Sequence, residues 1–264
     1  MKSLDCSPPA RPRFSIALVN YKSLDITRVC LELLRARLGD NPVDVWVVDN
    51  DSADASTHYL RSLDWIKLIE RVPEPNEAGH IAHGKALDLI LEQADTEYLL
   101  LMHTDTFIFD ASVFDLLLRK CQPNTAAVGC VEQINRGRVR TLWRNGSRSF
   151  KHYYRRLVRV LGLPGRDPKP PRELYLKSFC TLWNARLIKQ HGLHFCMDDA
   201  VPGYTLQDRM SALGYGIELI APQRLFRYLD HIQSGTVAAA GGYGATHRRT
   251  RMYNNILTRL DASR

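Results

Sequence analysis

Through the first half of the chain, short apolar runs alternate with segments whose apolar positions recur at helical spacing. That is the pattern of a mostly parallel sheet joined by crossover helices. Residues 14–20 read as the first strand. A helix is expected over 27–38, with Val29, Leu33, Leu34 and Leu38 on one stripe and Gly39 as its stop. A second strand over 43–48 ends in Asp49-Asn50-Asp51-Ser52, side chains suited to a turn and to capping a helix over 56–63. The spacing then predicts a strand over 66–71, a Pro-rich loop over 73–79, a helix over 81–93 and a fully apolar strand over 98–102. The abrupt end of that strand in His103-Thr104-Asp105-Thr106 is the sharpest transition in the sequence. Further on, helices are expected over 112–120, 150–161, 185–190 and 204–213, and strands over 126–131, 175–183, 217–220 and 225–228. No internal repeat or linker divides the 264 residues, which favours one domain carrying an insertion.

Charge changes this picture locally. Between positions 131 and 172 twelve Lys/Arg face only Glu132 and Asp167, so this segment carries +10 and the rest of the +8 chain carries −2. Such a local excess points to an anionic surface or ligand. Within it, Phe150, Tyr153, Tyr154, Leu157, Val158 and Leu161 form one broad helical face beside Lys151, Arg155, Arg156 and Arg159. A basic amphipathic helix of this kind suits an anionic membrane surface or a lipid-pyrophosphate acceptor. No apolar run approaches the roughly 18 to 20 residues needed to span a bilayer, and residues 1–13 lack the apolar stretch of a secretory signal and read as a flexible leader. Six scattered cysteines without a C-x-x-C pair suggest reduced thiols. The expected location is cytoplasmic, with peripheral contact at the inner face of the membrane.

In open parallel sheets ligands collect at the carboxyl ends of the strands. Three such ends carry polar groups: Asn20-Tyr21-Lys22, Asp49-Asn50-Asp51 and His103-Thr104-Asp105. A carboxylate or amide can hydrogen-bond a base edge, and Tyr21 offers a stacking face. A carboxylate beside an imidazole can hold a divalent cation, which neutralises a diphosphate. The plainer alternative for Asp49 is a helix cap. His80 and His83 are three apart on a helix start, but no third ligand stands near them in sequence.

In order and spacing, the stretches SIALVNYKS, VDVWVVDNDSAD, PNEAGHIAHGKALDLIL and TEYLLLMHTDTFIF resemble the family 2 glycosyltransferases of the GT-A fold, among them rhamnosyltransferase-like enzymes of bacterial glycan assembly. The resemblance is closest over residues 14–110. It implies an α/β fold, GT-A, with a mostly parallel central sheet flanked by helices and a basic insertion. It divides the chain into a nucleotide-sugar half (14–110), an acceptor half (111–235, with the insertion at 131–172) and a basic tail (236–264). It also implies a metal-dependent, inverting transfer from a UDP- or dTDP-sugar to a glycan or lipid-linked acceptor in polysaccharide biosynthesis.

Carried over, the resemblance sets Asn20 and Asp49 at the base with Asp54 near it, and Tyr21, Asn50 and Thr104 in the same pocket. Gly79 would let the backbone approach the nucleotide-sugar. Asp105 would coordinate the cation, Mn2+ or Mg2+, with His103 and His231 as its partners. His231 resembles a family histidine that follows the last core strand. Two positions depart from the family pattern: His103 stands where a first aspartate is usual, and Lys85 replaces a common asparagine. Imidazole suits manganese better than magnesium, and Lys85 adds positive charge toward the phosphates. For the base the resemblance points upstream of the Gly214-Tyr215 helix end, to Asp199, then Asp198, with Asp208 as the alternative. The family's Glu-Asp pair does not fall at its usual distance. Competing readings are a nucleic-acid-binding protein using 131–172, disfavoured by the acidic strand ends, and an inactive GT-A scaffold.

Overall fold

The computed structural model describes residues 14–135, 137–168 and 170–232, together with 254, 255 and 258. The leader 1–13 and most of the tail 236–264 therefore lie outside the described residues. Nine strands and eight helices follow in order among the described residues. They are β1 (Phe14–Asn20), α1 (Leu24–Leu38), β2 (Val45–Asn50), α2 (Ala55–Arg61), β3 (Ile66–Arg71), α3 (Gly79–Gln93), β4 (Tyr98–Met102), β5 (Thr106–Ile108) and α4 (Ser112–Leu118). The second half runs β6 (Thr125–Gly129), α5 (Gly137–Val160), β7 (Cys180–Asn184), α6 (Ala185–Gln190), α7 (Tyr204–Ala212), β8 (Gly216–Leu219), α8 (Pro222–Leu225) and β9 (Leu229–His231).

Seven strands form one sheet in the order β3-β2-β1-β4-β7-β6-β8. All neighbours are parallel except β7, which runs against both β4 and β6. The inner strands are buried along nearly their whole length, as both faces of a parallel sheet covered by helices must be. Side-chain alternation splits the core in two. Ile16, Leu18, Val47 and Leu100 pack against α1 and α4 on one face, while Ala17, Trp46, Val48 and Leu101 pack against α3, α6 and α7 on the other. A mostly parallel central sheet flanked by helices is the architecture that the resemblance implied.

Four local expectations need correction. The strand expected over 175–183 begins only at Cys180. The strand expected over 225–228 is displaced: Pro222, with its fixed φ and missing N–H, opens the short helix α8, and the chain extends again only at Leu229. The cap of α2 is Asp54, whose Oδ1 accepts from Ser56 N at 2.8 Å, rather than the Asp49-to-Ser52 turn. Helix α5 is twice the expected length, because Gly146 and the arginines hide an apolar stripe that already begins at Val139.

Strands β5 and β9 pair antiparallel beyond the end of β4, with Thr106 opposite His231. Ile232 N donates to Asp105 O at 3.0 Å and extends this clamp. The second ribbon thus brings residue 231 onto the residues that follow β4.

Candidate metal and nucleotide site

Immediately after β4 the chain turns tightly, Thr106 N donating to His103 O at 3.0 Å. That turn aims Asp105 inward, where it is 1% exposed. His231 Nε2 lies 3.2 Å from Asp105 Oδ1, and His103 Nδ1 lies 3.8 Å from the same oxygen. Ligand atoms of the three residues all fall within 4.8 Å of one another. Ligands bound about 2.1 Å from a common ion are about 3 to 4 Å apart, so small side-chain adjustments bring this set to coordination distance.

The outer contacts fix how the rings are presented. His231 Nδ1 lies 2.8 Å from Gln133 O, a carbonyl that only accepts, so Nδ1 carries a proton and Nε2 is the nitrogen turned to Asp105. Thr104 Oγ1 is buried and has no hydrogen-bond partner among the described residues, which fits a polar group bound beside the cluster. His103 Nε2 is 2.8 Å from Ser178 Oγ, leaving Nδ1 toward the cluster. Both histidines therefore have the outer-shell partner that metal-ligating imidazoles ordinarily have. Phe179 stacks on His231 at 4.5 Å and holds its plane.

Electrostatics keep His103 in its ligating form. Burial, reinforced by His231 and His83, pushes its pKa down to about 3 against the opposing pull of Asp105. His83 belongs to the same neighbourhood. Its ring stands edge-on to His103 at 5.7 Å, and burial pushes its pKa down to about 4. His80 does not join it; its Nε2 lies 3.1 Å from Asp199 O.

At the ends of β1 and β2, Asn20 is fully buried and fully engaged. Its Nδ2 faces Asp49 Oδ1 at 2.8 Å, Ser56 Oγ at 2.9 Å and Ser52 Oγ at 3.1 Å, while its Oδ1 accepts from Thr27 and Ser23. Asp49 also accepts from Ser52 and Thr57 Oγ1. Asn20 thus frames this strand end from within. Asn50 Oδ1 accepts from Arg71 Nη1 at 2.8 Å, and Arg71 pairs with Glu77 at 2.7 Å. Tyr21 is exposed, with the Lys22 ammonium over its ring at 5.2 Å. A cleft of about 380 Å³ opens here between Asp49, Asp54, Thr57, Glu70 and Arg71.

Gly79 is the first residue of α3, and a Cβ there would meet nothing within 4 Å. The close approach is at Gly84 instead, where a Cβ would stand 2.9 Å from Cys196 Cβ and 3.0 Å from Pro202 Cγ. Lys85 pairs with Glu74 at 3.1 Å and Glu77 at 3.4 Å.

On the second half, Asp198 and Asp199 are consecutive left-handed residues, φ 55° and 50°, at the exposed tip of the loop that Gly84 contacts. Asp88 on α3 grips that loop by accepting from Phe195 N at 2.6 Å and Cys196 N at 3.1 Å. Asp208, on α7, accepts from Tyr175 OH at 2.9 Å. Ser178, Gln133 O, Gly84 and Asp88 carry no motif that singles them out in the sequence; only the fold reveals them.

The family model of glycosyl transferase family 2 matches residues 15–181. No curated protein sequence matches the chain. Among solved structures, a mannosyltransferase from Pyrobaculum calidifontis in complex with GDP-Man and Mn2+ superposes with a TM-score of 0.55 at 16% identity, over 81% of this chain and 56% of that one. Residues 1–349 of TarS from S. aureus superpose with a TM-score of 0.54 at 17% identity, over 86% and 63%. Glucosyl-3-phosphoglycerate synthase from Mycobacterium tuberculosis, with Mn2+, UDP and phosphoglyceric acid, gives 0.51 at 17% identity, over 78% and 67%. The chain spans less than two thirds of the length of the first two structures.

Proposed function

The chain belongs to glycosyl transferase family 2, and on that premise we propose that it moves the sugar of a UDP- or dTDP-sugar onto a hydroxyl of a glycan or lipid-linked acceptor, with a divalent cation. The observation that carries this reading is the cluster His103, Asp105 and His231, whose ligand atoms lie within 4.8 Å of one another, beside buried Thr104 Oγ1, which has no hydrogen-bond partner among the described residues. The complexes of two similar folds with Mn2+ and a guanine or uracil nucleotide support it. A bound cation would neutralise the diphosphate as it departs. Two imidazoles with one carboxylate favour manganese over magnesium.

The protein's own part is positioning. Asn20 and Asp49 brace the turn at the base end, Arg71, held by Asn50, and Asp54 line the adjoining cleft, and Tyr21 supplies the stacking face. Gly79 opens the helix that flanks the diphosphate, and Lys85 follows about two turns into it. Asp199, with Asp198 beside it, takes the proton from the acceptor hydroxyl in a single inverting displacement; Asp208 is the alternative base. Peripheral contact with an anionic membrane surface brings the protein to a lipid-carried acceptor.

Calorimetric titration of a panel of sugar nucleotides with Mn2+ tests the proposal. One donor is expected to bind with metal and to lose binding with Asp105→Ala. If no donor binds in the presence of Mn2+, the reading fails. Donor binding without transfer or hydrolysis under any condition would make the protein an inactive scaffold.

A further inference from the structure

Helix α5 turns its apolar face outward. On a 3.6-residue wheel Val139, Leu142, Trp143, Phe150, Tyr153 and Leu157 share one arc, and all are exposed, Trp143 to 80% and Phe150 to 72%. The inner face is basic instead. Arg144 pairs with buried Glu132, and Arg148 pairs with Glu173 at 3.0 Å. The helix has eight Lys/Arg and no acidic residue. Exposed Arg140 and Lys151 border the apolar arc on one side and exposed Arg156 on the other.

A helix lying on a globular body ordinarily turns its apolar stripe to the core. A contiguous exposed apolar face with a charged rim marks a surface that meets another phase or partner. Charge complementarity selects the partner. A second copy would bring another acid-free, eight-cation helix against this one. A nucleic acid would meet mainly the apolar arc, since Arg144 and Arg148 are turned inward. Headgroups of an anionic bilayer fit both features together: acyl boundary for the arc, phosphates for the rim.

We infer that α5 is a docking surface for an anionic lipid bilayer, lying in the plane of the headgroups with Trp143 and Phe150 in the interfacial layer and Arg140, Lys151 and Arg156 on lipid phosphates. Its attachment points tie docking to the site. Glu132, which anchors Arg144, directly precedes Gln133, whose carbonyl accepts from His231. A docked α5 therefore holds the metal cluster close to the lipid surface. The benefit of that placement rests on the lipid-carried acceptor proposed above, whereas the docking itself does not.

Sedimentation of the full chain with vesicles tests it. Phosphatidylcholine vesicles containing phosphatidylglycerol are compared with phosphatidylcholine alone, and intrinsic fluorescence is followed. Binding to the anionic vesicles is expected, with a blue shift that Trp143→Phe removes. Binding is expected to fall by about tenfold or more on neutral vesicles, and likewise in the triple variant Trp143→Ser, Phe150→Ser, Leu157→Ser. The variant Arg140→Gln, Lys151→Gln, Arg156→Gln is expected to lose the salt-sensitive part of binding. All six positions are exposed, and circular dichroism checks that each variant folds. Unchanged binding by the serine variant overturns the proposal, as does absence of binding to anionic vesicles. Dimerisation, or retention of single-stranded oligonucleotide, that the serine variant alone abolishes also overturns it by identifying a different occupant. Donor binding measured on the same samples without vesicles reports on the proposed function separately.

Discussion

His231 is the last residue of the three-residue strand β9, and its presentation is decided by a carbonyl 98 positions away. Gln133 O holds a proton on Nδ1 and so sets Nε2 as the nitrogen that faces Asp105. His103 depends in the same way on Ser178. Ser178→Ala is therefore expected to weaken Mn2+ binding about 10- to 100-fold, in the range seen for outer-shell partners, while leaving the melting temperature nearly unchanged. Manganese titration of the purified variant measures it. Asn20 calls for the opposite pattern. Removing its buried amide takes a hydrogen bond from each of Asp49 and Thr27 and opens a buried polar gap, so Asn20→Ala is expected to cost about 2 to 4 kcal/mol of stability in denaturant melts, before any effect on donor binding is considered. At this scale the sequence showed the ligand types at the end of β4 and the departure at His103. It did not show that Asn20 is saturated from within, because its five partners come from three separate segments.

Elements were legible in proportion to their length and to how completely the sheet buries them. The apolar run of β4 and the stripes of α1 and α3 follow from residue spacing alone. The three-residue β5 and β9 have no period to detect and exist because each pairs with the other. A contact between α3 and the 195–203 loop was equally hidden, since Gly84 and Asp88 look like ordinary helix residues. Gly84→Ala would drive a methyl into Cys196 and Pro202 and is expected to cost about 1 to 3 kcal/mol. If Asp199 acts as the base, the same substitution should lower transfer more than donor binding, because the loop tip moves while the metal cluster does not. Equal loss of both would place the loop outside acceptor chemistry.

Across the whole molecule, the net charge resolves into the basic segment 131–172 and a slightly acidic remainder, with a buried ion pair, Arg71 with Glu77, bracing the cleft at the end of β2 and β3. Burial by itself would raise the Glu77 carboxyl, but hydrogen bonds from Arg71, the Glu74 amide and Lys85 outweigh it and hold the group below the usual glutamate range. A carboxylate lowered in the folded state stabilises the fold fully above its unfolded pKa and loses that contribution as pH falls through the folded value. The melting temperature is thus expected to drop on acidification below the ordinary glutamate range. Glu77→Gln should lower it at neutral pH and flatten its dependence through that acid window, as a calorimetric pH series would show.

Local composition and period are properties of adjacent residues, so the sequence by itself determined the alternating α/β order, the family, the polar strand ends and the concentration of positive charge in one segment. Which groups meet across long separations was decided only by the tertiary structure: His231 on Asp105, Gln133 behind it, Asp88 on the 195–203 loop. The same holds for the direction α5 faces. A wheel gives its apolar arc, but the pairing of Arg144 with Glu132 and Arg148 with Glu173 turns that arc away from the core. The physical reason is that orientation depends on partners from other elements, and spacing along one helix carries no information about them.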